Sequence, residues 1–367
     1  MFQSIKFDKN NSQALKGIAI LLLMLHHNFR EARLFENYSI SFWPFPQEWI
    51  VSAASMSKIC VSLFAFITGY GLYLSCKNSE SSNNFSPSKW VAVRYIKTFS
   101  GYWIIWIMSA IITQIIDGRF AKIYFENNFW DGLVSAGLDF AGVANLFQSP
   151  TLNITWWYMS AAFVFILITP ILVKNEKYLP IILLVTVIFT RMITGTNGEK
   201  AFTGGNSTWS FITIYMLGII FARYNIVEKI VNAKDRWRRF VIEIALLVIA
   251  YKAYPAIDVT YYWELKWAII PIVVILFSIE FIIYIPVIRQ ILLFLGKHSM
   301  NIFMVHTFIR YYYLADFTYS WKHFALIIII LLIFSLAISM TIEFIKKLLK
   351  YDKHITNVCN AIENNTN

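Results

Sequence analysis

The feature that most constrains this chain is the recurrence of apolar runs long enough to cross a lipid bilayer. Residues 325–340 and 267–279 are two examples, and similar runs occur along the whole length. A bilayer core of about 30 Å needs roughly 20 apolar residues per helix. Only 14% of the residues are charged, against about 25% in a typical soluble domain, which is too few to cover a water-facing surface. The sequence therefore predicts an all-α, polytopic membrane protein embedded in a lipid bilayer.

The apolar runs predict about ten spanning helices. They lie at residues 14–29, 50–74, 98–116, 154–173, 179–194, 207–222, 240–254, 267–285, 291–311 and 324–343. The stretch 132–147 is apolar enough to lie in the interface or to dip into the membrane, but it is too rich in Gly and Ala to predict a span. Residues 1–350 are thus predicted to form one transmembrane domain, and residues 351–367 a polar cytoplasmic tail.

The basic residues predict the orientation of the helices. With ten spans and the N-terminus inside, 21 of the 32 Lys and Arg lie on the cytoplasmic side and 11 lie outside. This bias agrees with the positive-inside rule, so both termini are predicted to be cytoplasmic. The net charge of +11 comes from short clusters between apolar runs, a placement that indicates membrane orientation and no nucleic-acid partner.

The three cysteines give no covalent or metal framework. Cys60, Cys76 and Cys359 are odd in number and have no paired spacing. We therefore predict neither a disulfide scaffold nor a metal site.

The first predicted helix carries polar residues at both ends. Lys16 and His27 are eleven residues apart, so at about 100° per residue they share one helix face, separated by about 16 Å along the axis. His26 points roughly 80° away from that face. One interpretation is a functional stripe that joins a cation to an imidazole. The other is that Lys16 only orients the helix and His27 only ends it at the interface.

Two basic residues precede the third predicted helix on the cytoplasmic side. Arg94 and Lys97 are three positions apart, so they share a helix face and two cations can grip one phosphate cluster. The alternative is that the pair only anchors the helix by the positive-inside rule.

Further polar and aromatic residues lie at predicted membrane depth or at its edge. His306 is deep in the ninth predicted span, and Ser299 precedes it on the same segment. A lone buried histidine is more often structural than catalytic, although a buried ionisable group also marks functional sites. Trp157 and Tyr158 lie at the outer mouth of the fourth span, where aromatic residues form a membrane belt or stack on sugar rings.

Five short segments, taken in order, carry a further signal. They are Lys16-Gly17-Ile18-Ala19 leading to His27, Leu63-Phe64-Ala65-Phe66-Ile67-Thr68-Gly69-Tyr70-Gly71, Arg94-x-x-Lys97, Trp157-Tyr158-Met159, and Gly296-Lys297-His298-Ser299 leading to His306. Together with the predicted topology they resemble the bacterial integral-membrane acyltransferase family often called acyltransferase 3, whose members O-acylate cell-envelope glycans. The similarity covers most of the chain, from Lys16 to His306.

The resemblance implies a membrane-embedded O-acyltransferase in the inner (cytoplasmic) membrane. Such an enzyme moves an acyl group, most often acetyl, from acyl-CoA to a hydroxyl of a glycan or glycolipid, with acyl-CoA as co-substrate and no bound cofactor. Mapped onto this sequence, His27 becomes the catalytic residue, acting as general base or accepting the acyl group itself. The family pattern assigns donor binding to Lys16, Arg94 and Lys97.

The same resemblance leaves other residues with less defined roles. Trp157, Tyr158, Ser299 and His306 become candidates for acceptor binding or for lining a channel. Lys16 and Lys97 stand where arginine is frequent in the family, which weakens a bidentate grip on phosphate. Thr68-Gly69 replaces the common Ser-Gly pair.

Two other functional classes remain open at this stage. A transporter or flippase of lipid-linked saccharide would use the same intramembrane polar residues as a pathway. The sequence lacks the internal repeat and the pair of Gly/Pro-broken helices often found in transporters, which counts against that class. A helical scaffold subunit without chemistry is the third possibility.

The topology can be tested directly. We expect tags at both termini to be cytoplasmic and residues 117–153 to lie outside, because the distribution of Lys and Arg requires it. The measurement is labelling of single cysteines with a membrane-impermeant reagent in intact cells. Cytoplasmic labelling near Ile123 would contradict the ten-span arrangement.

Overall fold

A computed structural model of the chain describes residues 5–81, 85–192 and 205–364, which form an all-α structure. The α-helices among these residues, labelled α1 to α18 in chain order, are Lys9–Phe29, Gln47–Met56, Cys60–Glu80, Pro87–Asp117, Arg119–Tyr124, Phe129–Phe140, Trp157–Lys174, Leu179–Met192, Ile212–Tyr224, Ile226–Val231, Arg236–Ala253, Val259–Glu264, Ile270–Phe277, Pro286–Lys297, Ser299–Thr307, Ala315–Tyr319, Phe324–Leu348 and Tyr351–Asn364. Segments with π-helical hydrogen bonding occur at Leu265–Ile269, Ser278–Ile282 and Phe308–Tyr313. The predicted all-α class is confirmed.

Five helical segments within the described residues are long and apolar enough to cross a membrane. They are Gln47–Glu80, Pro87–Asp117, Ile154–Lys174, Tyr262–Ile282 and Phe324–Leu348. Helices also overlap the other five predicted spans, but length and composition do not mark those helices as membrane-crossing. The count of ten spans and the cytoplasmic placement of the termini therefore stay predictions. Residues 193 and 194 of the predicted span 179–194, and residues 365–367 of the predicted tail, lie outside the described residues.

Helix α1 packs closely against α14 through glycines on both helices. A Cβ atom at Gly17 would collide with the backbone carbonyl of Leu292, and one at Gly296 would collide with the carbonyl of Gln13. Small residues allow helix backbones to approach closely, so dispersion contacts can form along the whole interface. Gly17 and Gly296 both belong to the segments that carried the family resemblance, and their place in the fold is this contact.

A second glycine contact joins α3 to α9. A Cβ atom at Gly69 would meet the carbonyl of Tyr215, and one at Gly218 would meet the carbonyl of Phe66. The interface is therefore a mutual one, with each helix offering a glycine to the backbone of the other. Gly69 is part of the aromatic-glycine segment of the resemblance, which explains its residue type by packing alone.

The long connection between α4 and α7 folds around one buried carboxylate. Asp139, at the end of the short helix α6, accepts hydrogen bonds from the Tyr124 hydroxyl at 2.5 Å, the Trp106 Nε1–H at 3.0 Å and the Leu152 backbone N–H at 3.1 Å. The Tyr102 hydroxyl donates to the Asp139 backbone carbonyl at 2.6 Å. A buried carboxylate is tolerated only when such donors surround it. Asp139 therefore fixes this connection against α4.

The end of that connection is tied to α15. The Asn153 side-chain amide and the Trp156 indole N–H both donate to the backbone carbonyl of Met304, at 3.2 and 3.1 Å. The start of α7 is thus held beside the helix that carries His306.

The C-terminal helix α18 lies against the start of α4. The Tyr351 hydroxyl donates to the Ser100 carbonyl at 2.9 Å, and Lys97 forms an ion pair with Glu363 at 3.6 Å. Cys359 on the same helix is fully buried. The described part of the predicted tail is therefore an ordered helix that contacts the transmembrane bundle.

The glycine packing predicts a difference between two alanine variants. Gly218→Ala should destabilise the protein by about 1–3 kcal/mol, because the added methyl overlaps the Phe66 carbonyl. Gly137→Ala is the matched control, since no atom lies within 4 Å of its Cβ position and alanine favours a helix by up to about 1 kcal/mol. Thermal unfolding of the purified variants in detergent measures the difference. Equal melting temperatures would contradict the close-packed interface.

Candidate functional site

Two histidines from distant parts of the chain meet in the bundle. His27 lies near the end of α1 and His306 lies in α15, and their Nδ1 and Nε2 atoms are 3.0 Å apart. Their ring centroids are 4.8 Å apart. His306 is fully buried, whereas His27 is partly accessible. The structure therefore brings together two of the residues selected from the sequence.

The hydrogen bonds of His306 determine the tautomers of both rings. Its Nδ1 lies 2.8 Å from the Phe303 carbonyl and 3.1 Å from the Ile302 carbonyl, and since carbonyls only accept, Nδ1 carries the proton. In the neutral ring the Nε2 atom is then an acceptor, so the contact with His27 is a hydrogen bond donated by the His27 Nδ1–H. The Thr307 hydroxyl lies 3.3 Å from the same His306 Nε2. This arrangement leaves the Nε2 lone pair of His27 free to take a proton.

Arg310 is the third member of this site. Its Nη2 atom lies 3.4 Å from the His27 Nδ1. Arg310 follows His306 by four residues, so both side chains leave the same face of a continuous helical segment. Arg310 was not selected from the sequence. Its spacing of four residues from His306 is the signal that could have identified it.

The neighbouring histidine faces a different part of the protein. The Nδ1–H of His26 donates to the Ala54 carbonyl at 2.8 Å, and the ring is buried. His26 therefore connects α1 to α2 and forms no hydrogen bond to His306 or Arg310 among the described residues.

A cavity of about 620 Å³ opens beside the first half of α1. Its basic wall residues are Lys9, Lys16 and Arg94. The remaining lining is mostly apolar, with the hydroxyl-bearing side chains of Ser12, Thr68, Tyr70, Thr98, Tyr158 and Ser299 among it. Such a lining suits a ligand that is anionic at one end and apolar along its length.

The cavity extends toward the histidine pair. Phe303 and Met304 belong to its wall, and the Phe303 ring centroid lies 6.3 Å from that of His306. His27 and His306 do not line the cavity themselves. Phe303 is therefore a neighbour of both the cavity and the histidines.

The sequence-selected residues divide into two groups by position. Lys16, Arg94, Tyr158 and Ser299 all line the cavity. Lys97 and Trp157 are not part of its wall. Lys97 is directed to Glu363 of α18, at 3.6 Å, and the Trp157 ring stacks on Phe211 with the centroids 5.8 Å apart.

The two selected cations in the cavity wall are not neutralised by acids. Among the described residues, neither Lys16 nor Arg94 forms an ion pair with a carboxylate, and the Arg94 guanidinium lies 5.9 Å from the Trp90 ring. Asp8 also lines the cavity, and its carboxylate accepts a hydrogen bond from the Asn11 N–H at the start of α1, at 2.8 Å. The wall thus retains positive charge for an anionic ligand.

The described residues contain no group of three or more His, Cys, Asp or Glu side chains arranged to hold a metal ion. The chemistry available at this site is that of an imidazole base, a guanidinium and an adjoining basic cavity.

Comparison with known proteins identifies one family. A family model described as an acyltransferase domain matches residues 10–344, which include both histidines and every cavity-lining residue except Phe7, Asp8 and Lys9. Searches of curated proteins and of solved structures found no match.

Proposed function

This chain belongs to the acyltransferase 3 family of membrane acyltransferases, and on that premise we propose that it transfers an acyl group, acetyl in the simplest case, from acyl-CoA to a hydroxyl of a cell-envelope glycan or glycolipid. The observation that carries this proposal is the His27–His306 hydrogen bond, at 3.0 Å, next to a cavity with a basic wall. The membrane is the inner membrane of the cell, with the Lys16 end of α1 on the cytoplasmic side.

The cavity supports acyl-CoA as the donor. CoA carries several phosphate charges and a long, mostly uncharged pantetheine arm. Lys16 and Arg94 would bind the phosphates, and the apolar lining would hold the arm. The arm would have to carry the thioester about 16 Å along α1, from Lys16 to His27. Ser299 and Tyr158 would contact the arm where they line the cavity.

The proton positions support His27 as the general base. Its free Nε2 would take the proton from the acceptor hydroxyl while the hydroxyl oxygen attacks the thioester carbonyl carbon. The imidazolium would then return the proton to the departing CoA sulfur. His306 would orient His27, because it accepts the Nδ1–H and is itself held by two backbone carbonyls. Trp157 is not a residue of the cavity wall, so it would bind the acceptor glycan outside the cavity.

Variants of the three histidines should differ in acyl-transfer activity. His27→Ala and His27→Gln should both lower acyl transfer by about 10²–10⁴-fold, because neither alanine nor an amide accepts the proton. His306→Ala should lower kcat less, since it removes only the orienting hydrogen bond. His26→Ala is the matched control and should retain activity. The His26 ring lies edge-on to the His27 ring, with the centroids 5.2 Å apart, but its hydrogen bond is to the Ala54 carbonyl and not to the His27–His306 pair.

The measurement is acyl transfer to the native glycan in membranes, normalised to folded protein. An inactive His26→Ala together with an active His27→Ala would refute the assignment. Activity in all three alanine variants would refute the His27 mechanism, whereas a folded wild type without acyl transfer would favour the transporter or flippase of lipid-linked saccharide.

Of the two basic residues before the third predicted helix, Arg94 lines the cavity and Lys97 does not. Arg94→Ala should raise the KM for acetyl-CoA about ten- to a hundredfold, because it removes a charge-assisted bond to phosphate of about 1.5–3 kcal/mol. Lys97→Ala is the control and should change this KM by less than about threefold, since its exposed ion pair with Glu363 is weak. Initial rates of thiol release at varied acetyl-CoA give both constants. Equal effects of the two changes would place the donor phosphates outside the cavity.

A further inference from the structure

Arg310 is a buried cation with no counter-ion among the residues that the structure describes. Its side chain is only 6% exposed, and no described carboxylate forms an ion pair with it. Its Nε–H is buried and has no hydrogen-bond partner. The groups near the guanidinium include His27, Tyr311 and Tyr319, and none of them carries a negative charge at neutral pH. The described part of the chain therefore places a positive charge beside His27 and supplies no carboxylate to neutralise it.

Arg239 is a partly buried arginine that does have a counter-ion. Its guanidinium lies 2.7 Å from the carboxylate of Glu280, which is fully buried. An unpaired charge in a low-dielectric interior is unfavourable, and breaking such a pair is strongly destabilising. The missing partner of Arg310 thus points to an anion that is present only during part of the protein's working cycle.

The proton transfer proposed above creates a need for such an anion. When His27 takes the acceptor proton it becomes an imidazolium, and its Nδ1 lies 3.4 Å from the Arg310 Nη2. Two positive charges would then be in contact. Only a negative charge that forms in the same step can balance them, and acyl transfer forms one on the thioester carbonyl oxygen.

We propose that Arg310 is a catalytic residue that binds the oxyanion of the tetrahedral intermediate; this inference rests on the proposed acyltransferase function. The acceptor oxygen bonds to the carbonyl carbon and its proton moves to His27 Nε2. The carbonyl π electrons move onto oxygen, where the Arg310 N–H groups neutralise them. On collapse the C–S bond breaks, and the CoA sulfur takes the proton from His27. The charge of the site is the same before and after the proton moves.

The test uses acetyl-CoA as donor and water as acceptor, so that acceptor binding does not enter. The purified full-length protein in detergent is assayed for thiol release, and kcat and KM are measured separately. Arg310→Gln should lower kcat about a hundredfold or more with KM for acetyl-CoA unchanged, as when an oxyanion donor is removed. Arg310→Lys keeps the positive charge but lacks the planar set of guanidinium donors, so its kcat should lie between those of Arg310→Gln and the wild type.

Arg33→Gln is the matched control for charge at this end of α1. Arg33 is exposed and paired with Glu31, so the kcat of this variant should stay within about threefold of the wild type. Should Arg310→Gln not fold, Arg310→Lys against wild type decides the question, because a reduced kcat with unchanged KM is still expected.

An unchanged kcat for folded Arg310→Gln would overturn the inference. So would a normal rate of hydrolysis combined with a raised KM for the glycan acceptor, since Arg310 would then bind an anionic group of the acceptor. The proposed function fails separately, if the wild type releases no thiol from acetyl-CoA or if His27→Ala releases it at the wild-type rate.

Discussion

Polar groups inside an apolar helix bundle have no water to bind, and this constraint organises the site. His306 is held by two backbone carbonyls of its own helix and holds His27 in turn. Asp139 is surrounded by hydroxyl, indole and amide donors. Each buried group is thereby fixed in orientation as well as satisfied, because a lost partner would cost about 1–3 kcal/mol. Arg310 departs from this rule, because no described carboxylate pairs with it. We infer that its partner is a negative charge that forms during the reaction.

Close helix packing sets the distances between these groups. The contact of α1 with α14 needs glycine on both sides, at Gly17 and Gly296. α14 continues into α15 after a single break at His298, so the same contact that places α1 also places His306. The residue types that resemble the acyltransferase family therefore fall into two kinds. Some residues provide reactive side chains. Others are small and allow two helix backbones to approach closely enough to bring those side chains into contact.

The sequence predicted the helices better than it predicted the tertiary contacts between them. The length of the apolar runs was sufficient to predict the all-α class, and one such run contains both Lys16 and His27. Spacing alone could not separate Arg94 from Lys97, because the ion pair of Lys97 is with Glu363 near the other end of the chain. The partner of His27 was likewise out of reach, since His306 approaches it only through tertiary packing. Arg310 was not selected from the sequence, because a sequence does not show whether a basic residue has a carboxylate partner in the fold.

Helix α1 connects the two halves of the proposed reaction. Lys16 lies in the cavity wall and His27 contacts His306, and both belong to one unbroken helix, Lys9–Phe29. A continuous helix keeps these side chains about 16 Å apart whatever its neighbours do. Movement of α4 with Arg94 would change the grip on the donor without changing the distance from Lys16 to the base. In the proposed reaction the thioester would pass Phe303, a residue of the cavity wall whose ring centroid lies 6.3 Å from that of His306.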